Sequence, residues 1–198
     1  MQGIVKALKG RGFAVECFGT KEQAAQYLLE AIGERSVGIG GSISVEQLGV
    51  YDALKARGNE AYWHWKAPED MDGARTKAIN SQVYLCSANA LLCDGRLINI
   101  DGSGNRLAAT LFGPEEVYFV VGRNKLVDGD LEEGIARAKN IACPQNARRL
   151  GLSTPCAVTG KCANCASAQR MCAGLLVLEH AMSSHPMHVL LVDEDLGY

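Results

Sequence analysis

The sequence predicts an α/β domain, on three observations. Apolar runs of strand length, among them VYLCSA from Val83 and EEVYFVVG ending at Gly122, alternate with helix-period stripes such as that in KEQAAQYLLEAIG. Glycine-rich joints separate them, most clearly Gly40-Gly41-Ser42 and Asp101-Gly102-Ser103-Gly104, where a strand would hand over to a helix. Finally, 198 residues with 47% hydrophobic content suffice for one well-packed core. A single domain over residues 1–198 is the expectation, with a cysteine-rich segment at 153–173.

Met1 to Gly10 carries IVKALK, read as the end of a short or truncated first helix, and Gly12 joins it to a strand, FAVECF. Thr20 precedes Gln23 by three residues, the spacing of a capping box, so KEQAAQYLLEAIG is a helix with Ala24, Tyr27, Leu28, Ala31 and Ile32 facing the core. VGIGGSISVEQLG runs from a short strand through Gly40-Gly41-Ser42 into a helix starting near Ser44, which YDALKARG continues. NEAYWHW is the next strand, and Pro68 opens a helix whose acidic first turn suits its dipole. VYLCSA is a buried strand, and ALLCDGRLINID a hairpin on Asp94-Gly95, a pair that tolerates the positive φ of a tight two-residue turn. LAATLF is a helix, yielding at Gly113-Pro114 to the central strand EEVYFVVG. DGDLEEGIARAKNIACPQNARRLG is an amphipathic helix ended by Cys143-Pro144, then a second turn or helix with Arg148 and Arg149. GLLVLEHAM and HVLLVDEDLGY are strand-like runs that complete the sheet.

A net charge of −2 gives no global attraction to nucleic acid or to an anionic membrane, and the Arg148-Arg149 pair is too small to argue for either. No apolar run approaches the ~20 residues that span a bilayer, and no basic segment with an apolar core and a small-residue cleavage site opens the chain. A soluble, cytoplasmic protein is expected. In that reducing setting, clustered cysteines point to metal or redox chemistry before structural disulfides.

Two loops are candidate anion sites. Asp101-Gly102-Ser103-Gly104-Asn105-Arg106 offers close backbone approach ahead of a helix, and Gly40-Gly41-Ser42 does the same, each with helix-start amides to offer. Arg106 can grip a carboxylate or phosphate with its planar fork, or it can serve only as an ion pair to Asp101 that fixes the loop. Lys125, at the cleft's edge, supplies a point charge or is simply solvated. Glu46 reads as a charge favourable to a helix start, His64 as a structural residue within an aromatic Trp63-His64-Trp65 edge, and Arg75 as either an anion contact or a surface charge.

Cys156-x5-Cys162-x2-Cys165-x6-Cys172 is the most specific chemical signal. The segment is poor in large apolar residues, so a metal can substitute for a local core. Only Cys162 and Cys165 have the C-x2-C spacing of zinc sites; the uneven flanking gaps favour one cubane iron–sulfur cluster, with zinc as the alternative. Cys17, Cys86, Cys93 and Cys143 lie in or beside apolar segments and read as structural.

SANALLCDGRLINIDGSGNRLAATLFGPEEVYFVVGRNK, with RTKAINS before it, IGGSISVEQLG upstream, TPCAVTGKCANCASAQRMC downstream and the terminal VDEDLGY, resembles the LUD family, the lactate-utilisation domain. The resemblance implies a sandwich like the NagB/RpiA sugar-phosphate isomerases and CoA-transferases, with a mostly parallel central sheet. In such a sheet, loops after strands gather at one edge, so the two glycine loops would share a cleft; Asn89, in the resembling segment, joins its candidate residues. Related CoA-transferases use a glutamate nucleophile, but no motif aligns Glu46 with it. The implied function is a component of organic-acid metabolism, similar to the subunit that works with iron–sulfur and oxidoreductase partners in turning L-lactate into pyruvate, binding a small anionic metabolite and self-associating into a homo-oligomer. No nicotinamide or flavin motif is present, so electrons would pass through the cysteine-bound cluster or a partner. The competing reading is a non-catalytic anion-binding or assembly module with structural zinc.

Overall fold

The structure is a computed structural model and describes residues 2–198; Met1, at the start of the expected first helix, lies outside the described residues. Helix α1 (Gln2–Gly10) buries Ile4 and Leu8 and leads to strand β1 (Ala14–Phe18). Helix α2 (Lys21–Ile32) starts in a complete capping box, Thr20 accepting from the Gln23 N–H while Gln23 reaches back, and it buries Ala24, Leu28 and Ile32. Strand β2 (Val37–Ile39) passes through Ser42, whose hydroxyl caps the Val45 N–H, into α3 (Ile43–Gln47). Gly49, at φ 68°, then breaks the path before α4 (Val50–Ala56), so YDALKARG forms a separate helix and does not continue α3. β3 (Ala61–Trp63) is short because the chain tightens into a 3-10 turn at His64–Lys66.

Pro68 does not open the next helix, α5 (Met71–Ile79): the cap is Asp70, whose carboxylate accepts the Gly73 N–H, a service that proline cannot give. β4 (Val83–Cys86) is followed by the hairpin β5 (Ala90–Leu92) and β6 (Leu97–Asp101). Its turn uses Gly95 at φ 91°, but it closes between Leu92 N–H and the Arg96 carbonyl and is wider than two residues. Helix α6 (Asn105–Leu111) and β7 (Glu116–Gly122) lead through a 3-10 turn at Arg123–Lys125 to β8 (Leu126–Val127).

α7 (Leu131–Arg137) is not ended by Cys143-Pro144. A π-helical turn at Ala138–Ala142 widens the helix just before Pro144, which then sits in the first turn of α8 (Cys143–Arg149), where a missing N–H is tolerated. α9 (Pro155–Thr159), β9 (Gly174–Leu178) and β10 (Met187–Val192) close the chain.

Six strands form an all-parallel sheet in the order β1-β10-β7-β4-β2-β3, flanked by helices in the manner of a NagB/RpiA-type sandwich. Alternation along β7 explains its central place: Val117, Phe119 and Val121 enter the core on one face, Tyr118 and Val120 that on the other. Of the two C-terminal runs only β10 joins this sheet. β9 pairs antiparallel with β6 in a second sheet, β8-β5-β6-β9, and leaves Leu175 exposed, whereas β10 is covered by β1 and β7. A third core, with Ala90, Leu92, Ile98 and Ile100, lies between this small sheet and the π turn.

Candidate functional site

Parallel strands bring their carboxyl ends to one edge. There Gly40-Gly41-Ser42 follows β2, Ser87 to Asn89 follow β4, Lys125 follows β7, and Leu196 to Tyr198 follow β10. They surround an inner chamber of about 50 Å³, with Arg106, Asn146, Cys143 and Met171 completing its wall. An outer chamber of about 330 Å³ shares Gly41, Trp65 and Arg106 with it and adds Asp101, Gly102, Ser103 and Asn105. The two glycine loops therefore face one cleft. Gly41, Ser42, Asn89, Arg106 and Lys125 line its inner part, and Asp101, Gly102, Ser103 and Asn105 its outer part. Gly40 and Gly104 line neither: Gly40 lies behind Arg106, and Gly104 is the left-handed N-cap of α6.

Several of the helix-start amides on which sequence reasoning leaned are already used. Ser42 Oγ takes the Val45 N–H at 3.2 Å, and Asp101 takes the Gly102 and Arg106 N–H groups at 2.9 and 3.0 Å. Positive charge for an anion must come from side chains. Asp101 leaves the Arg106 guanidinium unpaired, so the Asp101–Arg106 ion pair that the sequence allowed does not form. Arg106 Nη2 donates to the Ile100 carbonyl at 2.5 Å and to Asn89 Oδ1 at 3.2 Å, while Nε and Nη1 have no partner among the described residues. The side chain is 8% exposed. The guanidinium is thus held in place at the chamber wall with donors still free.

Lys125 is not at the rim. It is 4% exposed, and its Nζ lies 2.7 Å from Ser44 Oγ and 2.8 Å from Ser87 Oγ. Burial pushes its pKa well below the usual ammonium value, and the guanidinium groups of Arg137 and Arg106 push the same way, against a weaker effect of Cys86. Arg137 donates to the carbonyls of Asn89, Asn124 and Tyr198, fastening the C-terminal residues over the chamber, and burial lowers its pKa.

Around the outer chamber, Arg149 stacks on Trp65 with 4.3 Å from guanidinium carbon to ring centre, and Arg75 pairs with Asp72 at 2.8 Å. His64 is 8% exposed; burial first and Arg75 second bring its pKa down to about 4, so it is a neutral imidazole at neutral pH. Glu46 is exposed and near the start of α3, consistent with a helix charge. Asp193 and Asp195 turn away to pair with Arg123. Sequence reasoning missed Ser44, Ser87, Asn146 and Tyr198. Only Ser87, a polar residue ending a buried strand, left a signal.

A family model for the LUD domain matches residues 1–192. The chain belongs to the LUD domain family. The fold is also similar to the crystal structure of a DUF162 family protein from Deinococcus radiodurans, with a TM-score of 0.55, 15% sequence identity, and coverage of 96% of this chain and 94% of that one. Comparison with curated proteins finds no match. No helix among the described residues is long and apolar enough to cross a membrane.

The cysteines of this LUD chain divide differently from the sequence reading. Cys17 and Cys93 are exposed and only Cys86 and Cys143 are buried. Burial first, and then the charges of Cys172, Cys156 and Cys162, raise the pKa of Cys143 to about 12. Cys162 is tied to the same stretch through its N–H, which donates to Asn140 Oδ1 at 3.1 Å. Cys156, Cys162, Cys165 and Cys172 are all partly exposed, and none is in a disulfide. Among the described residues no three His, Cys, Asp or Glu side chains are set at metal-holding geometry.

Proposed function

We propose that this LUD protein binds a small organic-acid anion of the lactate type, as a component of organic-acid metabolism. One observation carries the reading: Arg106, buried at the chamber wall, has two unpartnered donors and no acid beside its guanidinium. A carboxylate would accept a charge-assisted hydrogen bond from one of these free donors. The small inner chamber favours few-carbon acids over sugar phosphates or CoA esters, whose bulk would have to stay in the outer chamber. Titration calorimetry with L-lactate, pyruvate, a sugar phosphate and a CoA ester tests this. The three-carbon acids should bind best, and Arg106→Lys, which keeps the charge but loses the fixed planar donors, should weaken them by about tenfold or more. Equal affinity in the two proteins would remove Arg106 from the site.

A second part of the reading concerns the cysteines, favoured by the partial exposure of all four and by the electrostatic reach of three of them to Cys143. We propose that the segment holds a metal centre, an iron–sulfur cluster or alternatively zinc, with ligands from Cys156, Cys162, Cys165 and Cys172. The thiolates would have to close inward on metal binding, as metal sites coupled to local folding do. A cluster there would let the protein work with oxidoreductase partners. Metal and acid-labile sulfide analysis of anaerobically prepared protein decides: about four iron with sulfide indicates a cluster, about one zinc a structural site, and neither removes the metal reading.

A further inference from the structure

We propose that Lys125 is a nucleophilic amine that condenses with the carbonyl of a small 2-oxo acid whose carboxylate Arg106 holds, making the chamber an imine-forming site. The inference rests on the anion-site reading and adds the substrate class and the reacting atom. Hydrogen-bond bookkeeping carries it. Ser44 Oγ donates its one hydrogen to the Leu196 carbonyl at 3.1 Å, and Ser87 Oγ donates its own to the Val120 carbonyl at 2.5 Å. Both hydroxyls can therefore only accept from Lys125, at 2.7 and 2.8 Å. A neutral amine has two N–H donors and one lone pair; here both donors are engaged, which leaves the lone pair as its remaining valence, on a nitrogen that lines the chamber.

An ammonium would bring a third hydrogen with no acceptor in place and no Asp or Glu side chain among the described residues to balance its charge. The titratable and charged groups that act on Lys125 are Arg137, Arg106 and Cys86, and the two arginines favour the neutral form. Burial acts in the same direction and more strongly. Such desolvated amines next to cationic groups are activated nucleophiles. Arg106 supplies orientation, because a carboxylate on its free donors places the adjacent carbonyl within the same small chamber.

The step balances without a co-reactant. The Nζ lone pair forms a bond to the carbonyl carbon while the C=O π pair moves to oxygen, and one N–H proton passes to that oxygen to give a carbinolamine. Nitrogen then forms the C=N bond as the C–O bond breaks. The oxygen leaves as water, carrying both hydrogens of the original amine. Ser44 and Ser87, hydrogen-bonded to those two hydrogens, stand where the protons depart.

The test is borohydride trapping on the full chain at neutral pH with pyruvate, read by intact mass and peptide mapping, with L-lactate, which has no carbonyl, as competitor. Calorimetric binding of pyruvate and L-lactate is measured alongside. The expected result is one adduct of pyruvate minus water plus two hydrogens on the Lys125 peptide, suppressed by excess L-lactate and absent in Lys125→Met. If that variant does not fold, the wild-type peptide map still decides. Labelling confined to exposed lysines overturns the proposal. So does binding of pyruvate without an adduct, which leaves the anion-site reading intact; failure of both acids to bind overturns the two together.

Discussion

Gly40 shows how one missing side chain sets up the candidate site. A Cβ there would meet Tyr84 Oη at 2.8 Å and Arg106 Cγ at 3.3 Å. Tyr84 is 1% exposed, and its hydroxyl has no hydrogen-bond partner among the described residues. Locked in the core, this tyrosine cannot swing clear, so the strain of Gly40→Ala would fall on Arg106. The variant should lose about 1–3 kcal/mol of stability, read by urea unfolding, and also bind L-lactate more weakly, read by calorimetry. A stability loss with affinity unchanged would show that Arg106 does not depend on this contact.

Among the elements, β7 is the strand on which others converge. Its first residue, Glu116, meets Arg35 at 2.7 Å and His188 of β10 at 2.7 Å, while Arg35 also takes the carbonyls of Ala31 and Ile32 at the end of α2. Burial alone would raise the Glu116 pKa. The Arg35 hydrogen bond and the His188 charge outweigh it and hold the carboxylate below its usual range. A lowered carboxylate gives stability that is full above the ordinary carboxylate value and is lost as pH falls through the lowered one. Glu116→Gln should therefore cost about 1 kcal/mol at neutral pH, with the gap to wild type closing in acid. Chemical unfolding at a series of pH values checks this; a gap independent of pH would mean that packing, not charge, is what the glutamate supplies.

Across the whole molecule, what the sequence made legible was local. The capping box at Thr20, the hairpin glycine Gly95 and the apolar runs of β4, β7 and β10 are properties of neighbouring residues and survive into the structure. Arg106 was legible as well, because its loop announces itself through glycines. The pairing of β9 with β6, the passage of the helix through Pro144 and the seat of Cys143 were not, since each depends on segments far apart in the chain. Lys125 is the clearest case. Arg123-Asn124-Lys125 looks like a polar strand end, and only Ser44, Ser87 and Leu196, contributed by three other elements, turn it inward.

That inward turn makes unfolding a protonation reaction. An amine kept neutral inside the native protein meets bulk water when the chain opens and takes up a proton, throughout the interval between its lowered native pKa and the ordinary ammonium value. Within that interval the unfolded chain binds more protons than the native one, so this lysine makes the protein more heat-resistant as pH rises. Calorimetric unfolding enthalpies should accordingly differ between buffers of low and high ionisation enthalpy, by the heat of the one proton drawn from the buffer. In Lys125→Met that buffer dependence should shrink by this one-proton contribution, and an identical dependence in both proteins would mean that Lys125 is charged in the native state.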